Sequence, residues 1–287
     1  MPLSTFHYSL GLIGYPLSHS LSPTIHAAAL KACNLQGDYS LFPIAPDDKQ
    51  GLKDLLARLR TGELRGLNVT IPHKQNVIEF LDELTPTAKA IGAVNTIYMR
   101  DDKLIGDNTD AAGFLTDLRK SLAESPPPFG RGAGVREKSA IVFGAGGSAR
   151  AVIYALLNDG WNITISARRI EQAQQLATSF TQYAVRSMSF TNLPLSTFHL
   201  IVNTTPLGMT PNVNDSPLPN DVSLKPDMLV YDLVYNPRET KLVRDARAQG
   251  LSATTGLGML IEQAALSFEL WTGCIPSREI LHQSVES

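Results

Sequence analysis

Residues 139–150 constrain the fold of this chain more than any other stretch. Ser139–Phe143 has strand character and leads directly into Gly144-Ala145-Gly146-Gly147-Ser148-Ala149-Arg150, where a helical pattern begins. A glycine turn of this spacing between strand and helix lets the backbone approach a pyrophosphate, and the helix N-terminus offers that anion N–H groups and partial positive charge. A second strand, Asn162–Ser166, completes a βαβ unit over residues 139–168. Its end selects between cofactors. Ile165-Ser166-Ala167-Arg168-Arg169 has no carboxylate to accept a ribose 2′-hydroxyl and has two guanidiniums suited to a 2′-phosphate. The unit implies a nicotinamide cofactor, NADP rather than NAD, and oxidoreductase chemistry.

The 287 residues exceed one compact domain, so two are expected. Upstream of the glycine loop, strands at Tyr8–Gly14, Asp38–Ile44 and Gly66–Thr70 alternate with helices. One helix starts at Ser22-Pro23, with Ser22 as N-cap. Another spans Asp47–Arg60, with Leu52, Leu55, Leu56 and Leu59 on one face. A third begins at Pro72. Val94–Arg100 and Lys103–Gly106 read as a hairpin turned at Asp101-Asp102. Asp110–Ala123 reads as a helix bridging the two domains, followed by a Pro/Gly-rich loop or linker at 125–135. Downstream, strands at Phe198–Asn203, Met228–Leu233 and Leu251–Thr254 precede Leu257–Trp271, apolar nearly all round and so a buried helix. This grammar predicts an α/β fold with largely parallel sheets: an N-terminal open α/β domain followed by a Rossmann-like one.

A net charge of -2 gives no electrostatic reason to expect nucleic acid or an acidic membrane surface. No apolar run is long enough to span a bilayer, and Met1–Leu10 lacks the pattern of a signal peptide, so a cytoplasmic protein is expected. The only cysteines, Cys33 and Cys274, lie far apart and outside any C-x-x-C, which predicts reduced thiols, no disulfide and no metal site.

Four polar clusters sit at strand-to-helix junctions, where open α/β sheets bind ligands. His19-Ser20-Leu21-Ser22-Pro23 places two hydroxyls at a helix start, suited to a carboxylate. Asn68-Val69-Thr70-Ile71-Pro72-His73-Lys74 places Lys74 in a first helical turn. A helix start disfavours an ammonium and pairing with Asp110 favours it, so the two effects oppose. Ala93-Val94-Asn95-Thr96 and Gly106-Asp107-Asn108-Thr109-Asp110 complete the set. As bland alternatives, Asp110 serves only as an N-cap and Gln263, within the apolar helix, bonds only backbone.

The motifs S-H-S-L-S-P, N-V-T-I-P-H-K, A-V-N-T, D-N-T-D, G-A-G-G-S-A-R, N-T-T-P-L-G-M, Y-D-L-V-Y-N-P and G-L-G-M-L-I-E-Q-A occur in this order. Together they resemble the shikimate/quinate dehydrogenase family over essentially the whole chain. The resemblance implies reduction of 3-dehydroshikimate to shikimate with NADPH, on the route to chorismate and the aromatic amino acids. It implies that Ser20 and Ser22 hold the substrate carboxylate with Tyr235 nearby, that Thr70, Asn95 and Gln263 bind ring hydroxyls, and that Lys74 and Asp110 form the catalytic dyad, with Asp110 also touching substrate. Gly144, Ala145, Gly146, Gly147 and Ser148 would take the pyrophosphate. Ala167, Arg168 and Arg169 would take the adenosine phosphate, and Asn203, Thr204, Thr205, Leu233, Gly256 and Met259 would line the rest of the cofactor. No metal is required. Placing Gln263 in the site makes the substrate domain discontinuous, 1–110 completed by 256–287, around an NADP domain at 111–255. The family's second basic adenosine residue is Gln172 here, which leaves the preference to Arg168 and Arg169. A quinate or dual-specificity enzyme is the nearest alternative, and a non-catalytic NADP sensor belongs to a different class. The expected state is a monomer or homodimer acting on a small molecule.

Overall fold

The computed structural model describes residues 6–125, 138–190, 193–220 and 222–286. The chain divides into two compact units, Met1–Gly113 with Leu260–Ser287, and Phe114–Met259. Beyond Ser125, the linker expected at 125–135 lies outside the described residues.

In the first unit, β1 (His7–Gly14), β2 (Gln36–Pro43), β3 (Gly66–Val69), β4 (Glu83–Leu84), β5 (Thr96–Arg100) and β6 (Lys103–Asp107) form a sheet in the order β2-β1-β3-β5-β6-β4. The sheet is mixed rather than largely parallel: β3 pairs antiparallel with β5, and β5 with β6. The cause is the hairpin, whose two-residue turn holds Asp101 at φ 50° and Asp102 at φ 58°. Positive φ at both positions matches the right-handed strand twist and closes a tight antiparallel turn.

Helices α1 (Ser22–Ala32), α2 (Lys49–Arg60), α3 (His73–Asn76) and α4 (Pro86–Ile91) join these strands. The Asp48 carboxylate caps α2 by accepting from the Gly51 N–H at 2.8 Å. The α2 face of Leu52, Leu55, Leu56 and Leu59 is buried in a core with Ile13, Leu67, Val69 and Ile97. The start of α1 differs from expectation. Leu21 is the N-cap, and Ser22 is already helical. The Ser22 N–H donates instead to Ser20 Oγ at 3.2 Å, so the upstream hydroxyl closes the turn.

Helix α5 (Asp110–Glu124) runs from the first unit into the second. There β7 (Ser139–Phe143), β8 (Asn162–Ser166), β9 (Arg186–Met188), β10 (Leu200–Asn203), β11 (Leu229–Asp232) and β12 (Ser252–Thr255) form a sheet in the order β12-β11-β10-β7-β8-β9. Every pair in it is parallel. Helices α6 (Gly147–Asn158), α7 (Ile170–Thr178) and α8 (Lys241–Ala248) connect its strands. The central strands read as continuous apolar runs because both their faces are buried. The strand order reverses between β7 and β10, the position at which doubly wound sheets bind dinucleotides.

Helix α9 (Leu257–Thr272) carries the chain back, and α10 (Arg278–Glu286) packs on α1. Trp271 of α9 occupies the space over Gly66 that a Cβ would need, and its indole N–H donates to Ile97 O at 3.2 Å. Beyond α9, Cys274 forms a disulfide with Cys33 at the end of α1, their Cα atoms 6.5 Å apart. This corrects the expectation of reduced, unpaired thiols. The partners are separated by 241 residues, and only the return of the C-terminal segment to α1 joins them.

Candidate active site

All four polar clusters converge on one edge of the first sheet. Strands β1 and β3 are parallel, with Ile13 beside Val69, so the loops leading to α1 and α3 leave from the same side. Tyr15 N–H donates to Ile71 O at 2.9 Å and ties those loops together. Because β5 is antiparallel to β3, Asn95 precedes it at that same edge, and β6 delivers Asn108, Thr109 and Asp110 there.

At the centre, Lys74 Nζ donates to Asp110 Oδ2 at 2.6 Å. Both residues are buried. Such a pair persists only when the remaining carboxylate lone pairs are also served. Asn95 serves them, its Nδ2 donating to Asp110 Oδ1 at 2.9 Å. The helix beneath Lys74 is one turn long and passes into a 3-10 turn at Val77–Phe80, so the expected helix-start effect has little dipole behind it.

The Asn95 amide is oriented by its oxygen, which accepts the Thr109 N–H at 2.8 Å. Its nitrogen then faces three acceptors with two protons: Thr109 Oγ1 at 2.8 Å, Asp110 Oδ1 at 2.9 Å and Gln263 Oε1 at 3.1 Å. The longest contact is the one left over, so Gln263 Oε1 keeps capacity for a donor such as a ligand hydroxyl. Gln263 Nε2 donates to Leu260 O in its own helix at 2.8 Å. Lys74, Asn95, Asp110 and Gln263 are thus brought together in one hydrogen-bonded cluster. Thr70 follows β3 at the same edge, half-buried, between Gly14 and the start of α3. Ser20 is half-buried and Ser22 is 6% exposed.

In the second unit Gly144 follows β7 at φ +113°, and a Cβ there would lie 2.5 Å from Thr204 Oγ1. That glycine is required by backbone and packing alike. Gly146 is different. Its φ is -86°, and a Cβ placed on it meets nothing within 4 Å. Among the described residues no atom demands a glycine there, so the open face suits a phosphate group seated on the backbone. The N-cap of α6, Gly146, has no side chain to cap the first turn, as suits a helix start that receives an anion. Ala145, Gly147 and Ser148 belong to the same turn, and Ala167 is buried at the end of β8. Arg168 and Arg169 are exposed just beyond it, with no carboxylate between Asn162 and Arg169. These residues fit a dinucleotide that carries a 2′-phosphate.

Across the switch point, Asn203 is fully buried and organises the β10 turn. It accepts from Thr205 N–H at 3.0 Å and donates to Asp232 Oδ1 at 2.9 Å, while the Thr204 hydroxyl donates to Phe143 O at 2.6 Å. Leu233 and Gly256 meet backbone to backbone, and a Cβ on Gly256 would collide with Leu233 O. Met259 is buried in this unit. Tyr235 lies in the loop after β11, where burial pushes its phenol above the ordinary value.

Asp232 yields a pH prediction. Burial outweighs three donated hydrogen bonds, from Thr240, Val234 N–H and Asn203, and raises its carboxyl from 3.8 to about 6. The folded state therefore binds a proton that the unfolded state has lost between those values. Stability from this group is gained as pH falls through about 6 and is absent above it, an effect on the order of 2 kcal/mol. The expected result is that the Tm of the parent minus that of Asp232→Asn rises as pH falls from 7 to 4.5. Equal differences at both values overturn the assignment.

Comparison with known proteins places these features in context. The family model described as shikimate dehydrogenase substrate binding domain matches residues 12–97, shikimate / quinate 5-dehydrogenase matches 130–241, and shikimate 5'-dehydrogenase C-terminal domain matches 256–286. A protein of Salinibacter ruber named shikimate dehydrogenase (NADP(+)) is 44% identical over 282 residues, 95% of this chain and 94% of its own length. The chain belongs to the shikimate dehydrogenase family. The crystal structure of shikimate 5-dehydrogenase from Thermus thermophilus in complex with NADP(H) and shikimate superposes with a TM-score of 0.83 at 34% identity, covering 97% of this chain and 98% of that one. Quinate dehydrogenase from Corynebacterium glutamicum in complex with NAD superposes at 0.84 with 33% identity, covering 97% and 98%.

Within this shikimate dehydrogenase fold, three polar residues about the dyad escaped sequence reasoning as individual groups. Thr96 and Thr109 are visible only as members of their clusters. Ser267 is a serine in an otherwise apolar helix, a pattern that by itself signals nothing beyond burial. Thr96 and Ser267 are 0% exposed and Thr109 is 5%.

Proposed function

We propose that the chain interconverts shikimate and 3-dehydroshikimate with NADP, in the branch that leads to chorismate and the aromatic amino acids. The observation that carries this reading is the buried Lys74–Asp110 pair at 2.6 Å, held by Asn95 at an edge that also carries Ser20, Ser22, Thr70 and Gln263. The first unit is assigned to the substrate and the second to the cofactor. NADP, when bound, supplies the hydride acceptor for oxidation and the donor for reduction. The chain's own groups bind, orient and move a proton. Ser20 and Ser22 receive the substrate carboxylate through neutral hydroxyls and the start of α1. Gln263, Asn95 and Thr70 hold ring hydroxyls. In oxidation Lys74 Nζ, as the neutral amine, takes the proton of the reacting hydroxyl and becomes the ammonium that Asp110 stabilises, and in reduction the ammonium returns that proton; Asp110 fixes the lysine's position. Tyr235 is assigned to the neighbourhood of the carboxylate. Gly144, Gly146 and Gly147 receive the pyrophosphate. Arg168 and Arg169 receive the 2′-phosphate.

Among the described residues no helix is long and apolar enough to cross a membrane. A cytoplasmic location suits a small polar metabolite and a diffusible nucleotide, and we assign the chain there as a monomer or homodimer.

The test is absorbance at 340 nm with shikimate or quinate, each with NADP or NAD. Shikimate with NADP is expected to give the highest kcat/KM, at least about tenfold above NAD, the size of one well-made charge-assisted contact. The Arg168→Ala/Arg169→Ala double variant should lose most of that ratio by raising KM for NADP alone. A higher kcat/KM with NAD in the parent defeats the cofactor reading. A higher value with quinate moves the substrate reading to the quinate side of the family.

A further inference from the structure

We infer that Thr96 and Ser267 are positioning residues, two links of a one-way hydrogen-bond chain that ends on the catalytic pair. This rests on the proposed roles of Lys74 and Asp110. The chain starts at Tyr39, whose hydroxyl donates to Asn68 Oδ1 at 2.9 Å and so turns the Asn68 nitrogen away. That nitrogen donates to Ser267 Oγ at 3.0 Å. The Ser267 hydroxyl has three acceptors in reach, Thr96 Oγ1 at 2.7 Å, Gln263 O at 3.0 Å and Thr109 Oγ1 at 3.1 Å, and Thr109 Oγ1 already takes the Asn95 amide at 2.8 Å. Gln263 O already takes the Thr109 hydroxyl at 3.1 Å, together with the N–H one helical turn further on. The proton of Ser267 is therefore assigned to Thr96. The Thr96 hydroxyl in turn points at Asn95 Oδ1, 3.0 Å away.

Every link then runs the same way: Tyr39, Asn68, Ser267, Thr96, Asn95, Asp110, with Lys74 on the far carboxylate oxygen. Donors and acceptors aligned in series strengthen one another, most of all where water is excluded. Thr96, Ser267 and Asn95 are at most 2% exposed. The function of the series is to hold the Asn95 amide with its nitrogen toward Asp110. If Thr96 stops donating, Asn95 Oδ1 retains only the Thr109 N–H, and the amide gains freedom to swing from Asp110 toward Gln263 Oε1 at 3.1 Å. Misplacing the dyad slows proton transfer, whereas the carboxylate serines and the cofactor turn are untouched.

The experiment compares Thr96→Val, Thr96→Ser, Ser267→Ala and Lys74→Ala in steady-state shikimate oxidation, with separate measurement of NADP binding. Thr96→Val and Ser267→Ala are expected to lower kcat on the order of tenfold, about what one directing hydrogen bond contributes. KM for NADP should stay unchanged, and Thr96→Ser should restore kcat. Should Thr96→Val fail to fold, Ser267→Ala carries the same test, since it removes one oxygen at a helical site where alanine is favoured. A kcat within twofold of the parent in Ser267→Ala, with Lys74→Ala inactive, overturns the relay and leaves the dyad standing. Turnover retained in Lys74→Ala overturns the dyad and the relay with it. A Thr96→Ser variant as slow as Thr96→Val also overturns it, by showing that bulk rather than the hydroxyl matters.

Discussion

Lys74→Ala is expected to lower kcat for shikimate oxidation by about a thousandfold or more, within the range that a positioned acid–base group contributes. NADP affinity should stay within twofold of the parent, because Lys74 belongs to the first unit and the glycine turn to the second. The separation matters, since removing the ammonium leaves Asp110 buried with Asn95 as its remaining side-chain donor. Breaking one side of a buried pair costs about 3 kcal/mol or more of stability. A fall in activity alone would therefore be ambiguous. Intact cofactor binding, measured by quenching or by equilibrium titration of the same preparation, shows that the protein is folded and locates the loss in the chemistry. Substantial turnover with normal NADP binding would remove Lys74 from the mechanism.

The second large effect is expected at Gly146→Val. Extended backbone at φ -86° accepts valine, and among the described residues nothing lies within 4 Å of the new Cβ. The fold should therefore persist, with a Tm lower by no more than a few degrees, about the cost of a poorer N-cap residue at the start of α6. Cofactor binding should weaken by about a hundredfold or more, roughly 3 kcal/mol, because the branched side chain fills the face offered to the pyrophosphate. Gly144→Val is the contrasting control. Its φ of +113° and its contact with Thr204 predict loss of stability as well as of binding. If Gly146→Val binds NADP normally, the pyrophosphate does not sit on this turn.

Much of the architecture is legible from the chain itself. Strand and helix alternation, the buried leucine face of α2, the Asp101-Asp102 turn and the glycine loop rest on local rules of period and φ, and local rules survive in the folded protein. What was not legible depends on distant partners. The mixed order of the first sheet follows from a hairpin laid against β3, which no period announces. Strands β4 and β9 have two and three residues, too few for any alternation to register. Ser22 looked like an N-cap because Pro23 follows it, yet Leu21 holds the cap position without a side-chain bond, and the Ser22 N–H turns to Ser20 Oγ instead. The disulfide and the Ser267 links join residues 241 and up to 199 positions apart. The site was readable as clusters because each lies on one loop. Which side chain serves which was not, because the donor count at Asn95 emerges only when three segments meet.

The seat of Trp271 over Gly66 has a consequence for the order in which the protein is made. One side of β3 stays uncovered until α9 has left the ribosome, because its indole comes from a segment nearly at the C-terminal side of the sequence. The intervening Phe114–Met259 unit is contiguous and is synthesised whole before then, and domains fold as units as they emerge. The cofactor-binding half is therefore free to fold before the substrate half is closed, although it is encoded second. The substrate half waits as an open sheet, closed by the arrival of a tryptophan.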